Sequence, residues 1–152
     1  MEKITSFTID HIKLKPGIYV SRIDGDVTTY DLRTRRPNVD LLMDNSTIHS
    51  VEHMFATYIR NGALKEQVLY FGPMGCQTGF YLLVRDADHD LVIKEVRAVL
   101  QQIIDHDGEV FGKSPIECGH YQTLSIEAAK VESQKYLAIL ADLSAEDLRY
   151  PV

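Results

Sequence analysis

Gly17-Ile18-Tyr19-Val20-Ser21-Arg22-Ile23, then Asp24-Gly25-Asp26, then Val27-Thr28-Thr29-Tyr30-Asp31-Leu32-Arg33, is the stretch that decides the fold. Both long runs alternate between apolar or aromatic and polar residues, the period of a strand with one face buried. Gly25-Asp26 between them carries the residue types of a tight reversal, so the two runs read as an antiparallel hairpin. Upstream, Ser6-Phe7-Thr8-Ile9 alternates in the same way and reads as another strand. Downstream, Pro37-Asn38 breaks the alternation and opens a loop.

Beyond that loop the period changes. Ile48, Val51, Phe55, Tyr58 and Ile59 recur at helical spacing, Asp44, Asn45 or Ser46 can cap the start, and Asn61-Gly62 ends the pattern. Val68 to Phe71 and Thr78 to Arg85 read as strands around the glycine-rich turn Gly72-Pro73-Met74-Gly75-Cys76-Gln77-Thr78-Gly79. Leu91 to Ile104 is amphipathic, with Val92, Val96, Val99, Leu100 and Ile103 inward and Gly108 past its end. Glu109 to Cys118 reads as a strand or an irregular connection. Ile126 to Leu140 follows Ser125 as a third helix, and Ala145 to Arg149 reads as a short terminal one. Strands lead, helices intersperse, and the hairpin favours antiparallel pairing. The fold class is therefore α+β, an antiparallel sheet with helices packed mainly on one face.

At 152 residues, with no repeat and no linker, the chain should form one domain spanning 1–152 with a real core. A net charge of -6 leaves no excess of cations for a nucleic-acid backbone, and Arg33, Arg35 and Arg36 are too small a cluster to make such a face. Met1-Glu2-Lys3-Ile4-Thr5 lacks the plan of a signal peptide, and no apolar run nears the ~20 residues of a membrane helix. The expected location is cytoplasmic, where the two cysteines, Cys76 and Cys118, would be free thiols. Buried thiols are usually inert. These two sit in turn-like settings that can present sulfur to a site instead.

The chemistry concentrates in His49-Ser50-Val51-Glu52-His53. Residues four apart on a helix share a face, so His49 and His53 can grip one metal ion, and Glu52 lies close enough to move protons beside it. His49, Glu52, His53 and Ala56 form a stripe next to the apolar one, which puts the metal site on a helix at the edge of a cleft. Two histidines this far apart are often merely solvated; a cysteine available for a third bond raises the case for a metal. Two imidazoles and a thiolate leave one tetrahedral position open, as in catalytic sites. That donor set suits Zn²⁺, Fe²⁺ or Co²⁺ and fits Mg²⁺ or Ca²⁺ poorly. The turn around Cys76 has three glycines but lacks the Gly-Lys-Ser/Thr ending of a phosphate loop. By default His11 and Ser6 are surface groups and Arg33 an exposed strand arginine. The H-x-x-E-H order also occurs in inverted-zincin peptidases, so a small metallopeptidase is one alternative. A non-catalytic metal-binding module, closed by Cys76 as fourth ligand, is another.

The order His49-x-x-Glu52-His53, then Pro73-Met74-Gly75-Cys76-Gln77-Thr78-Gly79, then Cys118-Gly119, resembles the S-ribosylhomocysteine lyase (autoinducer-2 synthase) family. Ser6-Phe7-x-x-Asp10-His11 and Asp31-Leu32-Arg33…Pro37-Asn38 resemble it too, so the likeness runs from about Ser6 to Leu140. The resemblance implies that His49, His53 and Cys118 hold one divalent metal per subunit, Fe²⁺ with Zn²⁺ or Co²⁺ able to substitute. It implies Cys76 and Glu52 as the acid/base pair, and Ser6, His11 and Arg33 as substrate-binding residues. It further implies a homodimer, and a role in homocysteine recycling through the activated methyl cycle and in quorum-sensing signal synthesis. The chain departs from the family pattern at Thr34, Arg36 and Phe80, which bear on pocket detail and not on the metal or the acid/base pair.

Overall fold

A computed structural model describes residues 1–152. The hairpin forms as its alternation predicts: β1 (Gly17–Asp24) pairs antiparallel with β2 (Val27–Arg33), Asp24 opposite Val27. Gly25 in the turn adopts φ +61°, a conformation open to glycine at no steric cost. β3 (Val68–Pro73) and β4 (Gly79–Arg85) form the second hairpin, and the sheet order is β1-β2-β4-β3, antiparallel throughout.

Three helices pack mainly on one side of this sheet: α1 (Asn45–Ile59), α2 (His89–Ile104) and α3 (Ile126–Ile139). Each starts where a short oxygen-bearing side chain accepts from a free backbone N–H: Asp44 from Thr47, Asp88 from Leu91, Ser125 from Ala128. The inward residues of the sheet, Ile18, Tyr30, Leu32, Phe71, Phe80, Leu82 and Val84, join Val51, Phe55, Ile59, Val96, Leu100 and Ile103 of the helices in one core of 26 residues. Phe71 stacks between Phe55 and Phe80, at centroid distances of 4.3 and 5.0 Å, and this locks α1 onto β3 and β4. No helix is long and apolar enough to cross a membrane.

Two expected elements do not form. Ser6 to Ile9 is not a strand; Thr5–Phe7 is a single 3₁₀ turn closed by the Thr8 hydroxyl donating to the Thr5 carbonyl, with Phe7 exposed. Alternation over four residues found no neighbouring strand to pair with. Ala145 to Arg149 is not a helix either. The Ser144 and Asp147 side chains accept from the Glu146 and Arg149 N–H groups, a local alternative to helical bonding. The Leu148 carbonyl instead accepts from Val20 N at 2.8 Å, so the tail lies along the outer edge of β1. The connection from Glu109 to Cys118 is irregular, the second of the two forms its sequence allowed.

Candidate metal centre and thiol site

The helical face expected of α1 is present: His49, Glu52, His53 and Ala56 are all half-buried beside the packed stripe. Their ligand partner comes from the irregular segment after α2. Val110 and Leu124 bury its two ends in the core, and α1 pins its second half. The Ser46 hydroxyl donates to the Thr123 carbonyl at 2.7 Å, and Ser125 N donates to the Ser50 hydroxyl at 2.8 Å. This brings Cys118 over the helix.

One donor atom from each of His49, His53 and Cys118 lies within 4.8 Å of the other two, and His49 Nε2 is 3.4 Å from Cys118 Sγ. Zinc–nitrogen and zinc–sulfur bond lengths at tetrahedral angles place such donors roughly 3.5 Å apart, so the spacing fits a metal. The imidazoles face each other edge to face, 4.7 Å between centroids and 89° between planes.

Both rings are held in the tautomer a metal needs. The Phe111 carbonyl can only accept, so His53 Nδ1 carries a proton across their 2.8 Å contact, and in the neutral ring it is Nε2 that offers a lone pair. The Thr123 hydroxyl donates to the His120 carbonyl, so it accepts from His49 Nδ1 at 2.7 Å. His49 therefore also presents a bare Nε2. Burial, and then the neighbouring His53, hold its imidazole below the ordinary value, which favours the neutral form. Gly112 completes the fit: at φ +72° it bends the chain where a Cβ would stand 3.1 Å from His53 Nδ1. These residues fit a metal ion held by two imidazoles and a thiolate.

The thiol site lies next door. Cys76 rides the turn between β3 and β4, whose Gln77 takes φ 64° and is tied down by Gln77 Nε2 donating to the Met43 carbonyl. A cavity of about 560 Å³ gathers Ser6, His11, Arg33 and Cys76, together with Pro73 and Tyr81. His49 and Glu52 line an adjoining cleft of about 310 Å³, and Pro73 borders both. Cys76 is not in the three-donor group: its sulfur is 3.0 Å from the Thr78 hydroxyl and 3.9 Å from Arg33 Nη1. His11 donates from Nδ1 to the Ile9 carbonyl at 2.9 Å, which turns Nε2 away from the backbone.

These groups stand in a chain whose residues 4–146 match the family model for S-ribosylhomocysteinase (LuxS). The chain belongs to the S-ribosylhomocysteinase family. Among its relatives are S-ribosylhomocysteine lyases of Borreliella burgdorferi (45% identical), Finegoldia magna (44%) and Porphyromonas gingivalis (44%). Each comparison covers 99% of this chain and at least 99% of the relative.

Arg33, named from the sequence as a substrate-binding residue, has a burial and a set of partners that the sequence reading missed. Arg33 is not an exposed strand arginine: it is 2% exposed, with Nε and Nη2 clasping Asp31 at 3.1 and 2.6 Å. Residues two apart on a strand share a face, so Asp31-x-Arg33 was a legible signal. Gly79 makes room for it, since a Cβ there would meet the Leu32 carbonyl at 2.6 Å and Arg33 Cα at 3.2 Å. Tyr150, more than a hundred residues away in sequence, donates to Asp31 Oδ2 at 2.7 Å, and no local pattern announced it. Thr123 and the Phe111 carbonyl likewise act through the tertiary fold.

Proposed function

We propose that this protein cleaves the thioether of S-ribosylhomocysteine, giving homocysteine and 4,5-dihydroxy-2,3-pentanedione, the precursor of autoinducer-2. It is a carbon–sulfur lyase. The observation that carries the reading is the convergence of His49, His53 and Cys118 donors beside a separate thiol, in a chain of this family over its full length. A cation held by those three, Fe²⁺ with Zn²⁺ or Co²⁺ able to replace it, would supply Lewis-acid polarisation of the sugar carbonyl.

The rest is proton movement by the chain's own side chains. Breaking a thioether without redox chemistry requires a carbanion beta to sulfur, so the carbonyl must travel from C1 to C3 of the ribose. Each shift takes a proton from one carbon and returns it to its neighbour. Cys76 and Glu52 are the proposed carriers, reaching the sugar from the thiol cavity and from the cleft beside His49. With the carbonyl at C3, loss of the C4 proton expels homocysteine thiolate from C5. Arg33, His11 and Ser6 would hold the substrate's polar groups, His11 through the Nε2 that its backbone contact leaves free. The working unit is a single domain over 1–152 that pairs as a homodimer in the cytoplasm, consistent with two free thiols. Light scattering should give twice the 17.3 kDa chain mass.

The test follows thiol release from S-ribosylhomocysteine. Wild type should release homocysteine, whereas Cys76→Ala should keep its metal and lose at least ~100-fold in turnover. Turnover retained by Cys76→Ala would remove Cys76 from the reaction, and no thiol release by metal-loaded wild type would end the lyase reading.

A further inference from the structure

The hydrogen bonds around Arg33 form one chain that reaches Cys76. Asp31, Arg33 and Thr78 are 0%, 2% and 2% exposed, so every donor in the chain must find its acceptor inside the protein. Tyr150 donates to Asp31 Oδ2 at 2.7 Å. Arg33 donates from Nε and Nη2 to the same carboxylate, which uses one side of the guanidinium. Its remaining edge donates from Nη1 to Thr78 Oγ1 at 2.8 Å. A guanidinium has no acceptor, so the direction of that bond is fixed. Thr78 Oγ1 thus spends one of its two lone pairs on Arg33 and keeps its proton, which the thiolate form of Cys76, having none of its own, can only accept. Cys76 Sγ lies 3.0 Å away.

We propose that Thr78 is a positioning residue for Cys76, its hydroxyl donating to the thiolate form of the sulfur and fixing where it points, with Arg33 holding that hydroxyl in place. This rests on Cys76 being the proton carrier of the proposed reaction. The geometry makes the arrangement specific. Arg33 Nη1 is itself 3.9 Å from the sulfur, so the hydroxyl is the closer of the two donors. Cys76 is exposed on a turn, whereas Thr78 is buried and held on both sides. Its carbonyl accepts from Thr34 N at 2.9 Å and Arg35 N at 3.1 Å, and Gly79 begins β4 directly after it. Upstream, the clasp is rigid too: Asp31 is flanked across the sheet by Tyr19 and Tyr81, and Tyr19 stacks on Tyr150 at 5.0 Å. A thiol on a loop is thereby referenced to the centre of the sheet.

The experiment compares Thr78→Val, which keeps the shape and loses the hydroxyl, with Thr78→Ser, which keeps the hydroxyl. Two readouts are taken on the metal-loaded protein at one pH. The first is the rate of Cys76 alkylation by iodoacetamide, followed by peptide mass; the second is kcat and KM for S-ribosylhomocysteine. Thr78→Val should slow alkylation several-fold and lower kcat about tenfold, with KM within about twofold because Asp31 still holds Arg33. Thr78→Ser should restore both. Should the valine variant fail to fold, Thr78→Ala is read the same way. Alkylation of the folded valine or alanine variant at the wild-type rate overturns the proposal, as does failure of folded Thr78→Ser to restore it. If Cys76→Ala keeps turnover, the acid/base assignment fails by itself, and the alkylation rates still decide whether Thr78 directs the sulfur.

Discussion

Thr123 shows how much of the metal centre depends on a single hydroxyl outside the ligand set. Its proton goes to the His120 carbonyl, so its lone pair must receive His49 Nδ1–H, and that leaves Nε2 unprotonated on the side where Cys118 waits. Partners of this kind fix the ring and its tautomer, and losing one typically costs about 10–100-fold in metal affinity. Thr123→Val keeps the volume and deletes the acceptor. It should weaken binding of Zn²⁺ or Co²⁺ within that range in a competition titration with a chelator, while His53, held by the Phe111 carbonyl, stays in place. An unchanged affinity would mean that the hydroxyl does not orient His49. Thr123→Ser should bind nearly as wild type, because the requirement is for an oxygen that donates to one neighbour and accepts from another.

The C-terminal segment is the element that local pattern misjudged most, and its consequences are structural. Leu148 is 5% exposed, its carbonyl caps an unpaired N–H of β1, and Tyr150 reaches Asp31 beneath the sheet edge. Burial of a leucine contributes about 2 kcal/mol, and a hydrogen bond to a carboxylate about another 2. Ending the chain at residue 146 should therefore lower the urea-unfolding free energy by roughly 3–4 kcal/mol; an unchanged midpoint would show that the tail does not pack. The contrast with α1, α2 and α3 says what a sequence reveals. Those helices carry long apolar stripes and capping side chains, and their limits came out within about two residues of expectation, as helix ends do. Both hairpins were equally legible from alternation and turn residues. Ser6 to Ile9 and Ala145 to Arg149 are too short for their pattern to outweigh side chains that bond their own backbone. The site followed the same division. His49, Glu52 and His53 share a helix face and could be read directly, whereas the Asp31–Tyr150 and His49–Thr123 contacts join residues 119 and 74 positions apart.

At the scale of the molecule, the polar interior is rich in tyrosine, and this sets an alkaline limit on stability. Burial, with the Asp88 charge adding to it, pushes Tyr30 up to about 12. Burial pushes Tyr136 and Tyr150 well above their usual range, and the Asp31 carboxylate raises both further. In the unfolded chain a tyrosine loses its proton near pH 10. Below that pH both states are protonated and the contribution is fully present. Above it the unfolded chain binds fewer protons than the native one, so stability falls as pH rises, by up to about 1.4 kcal/mol per pH unit for each proton the native state retains. Tyr30 should carry this loss from pH 10 to about 12, with Tyr136 and Tyr150 still protonated beyond it. The net charge of -6 works in the same direction, because each tyrosinate adds to self-repulsion in a chain already negative. Urea midpoints should thus be nearly flat from pH 8 to 10 and drop steeply from 10 to 12. Tyrosinate absorbance should rise in two stages: a reversible one from the more exposed of the eight tyrosines, then a second that coincides with loss of far-ultraviolet helix signal. Tyr30→Phe removes one retained proton and should make the decline shallower; a wild-type slope in that variant would show that Tyr30 titrates freely in the native protein.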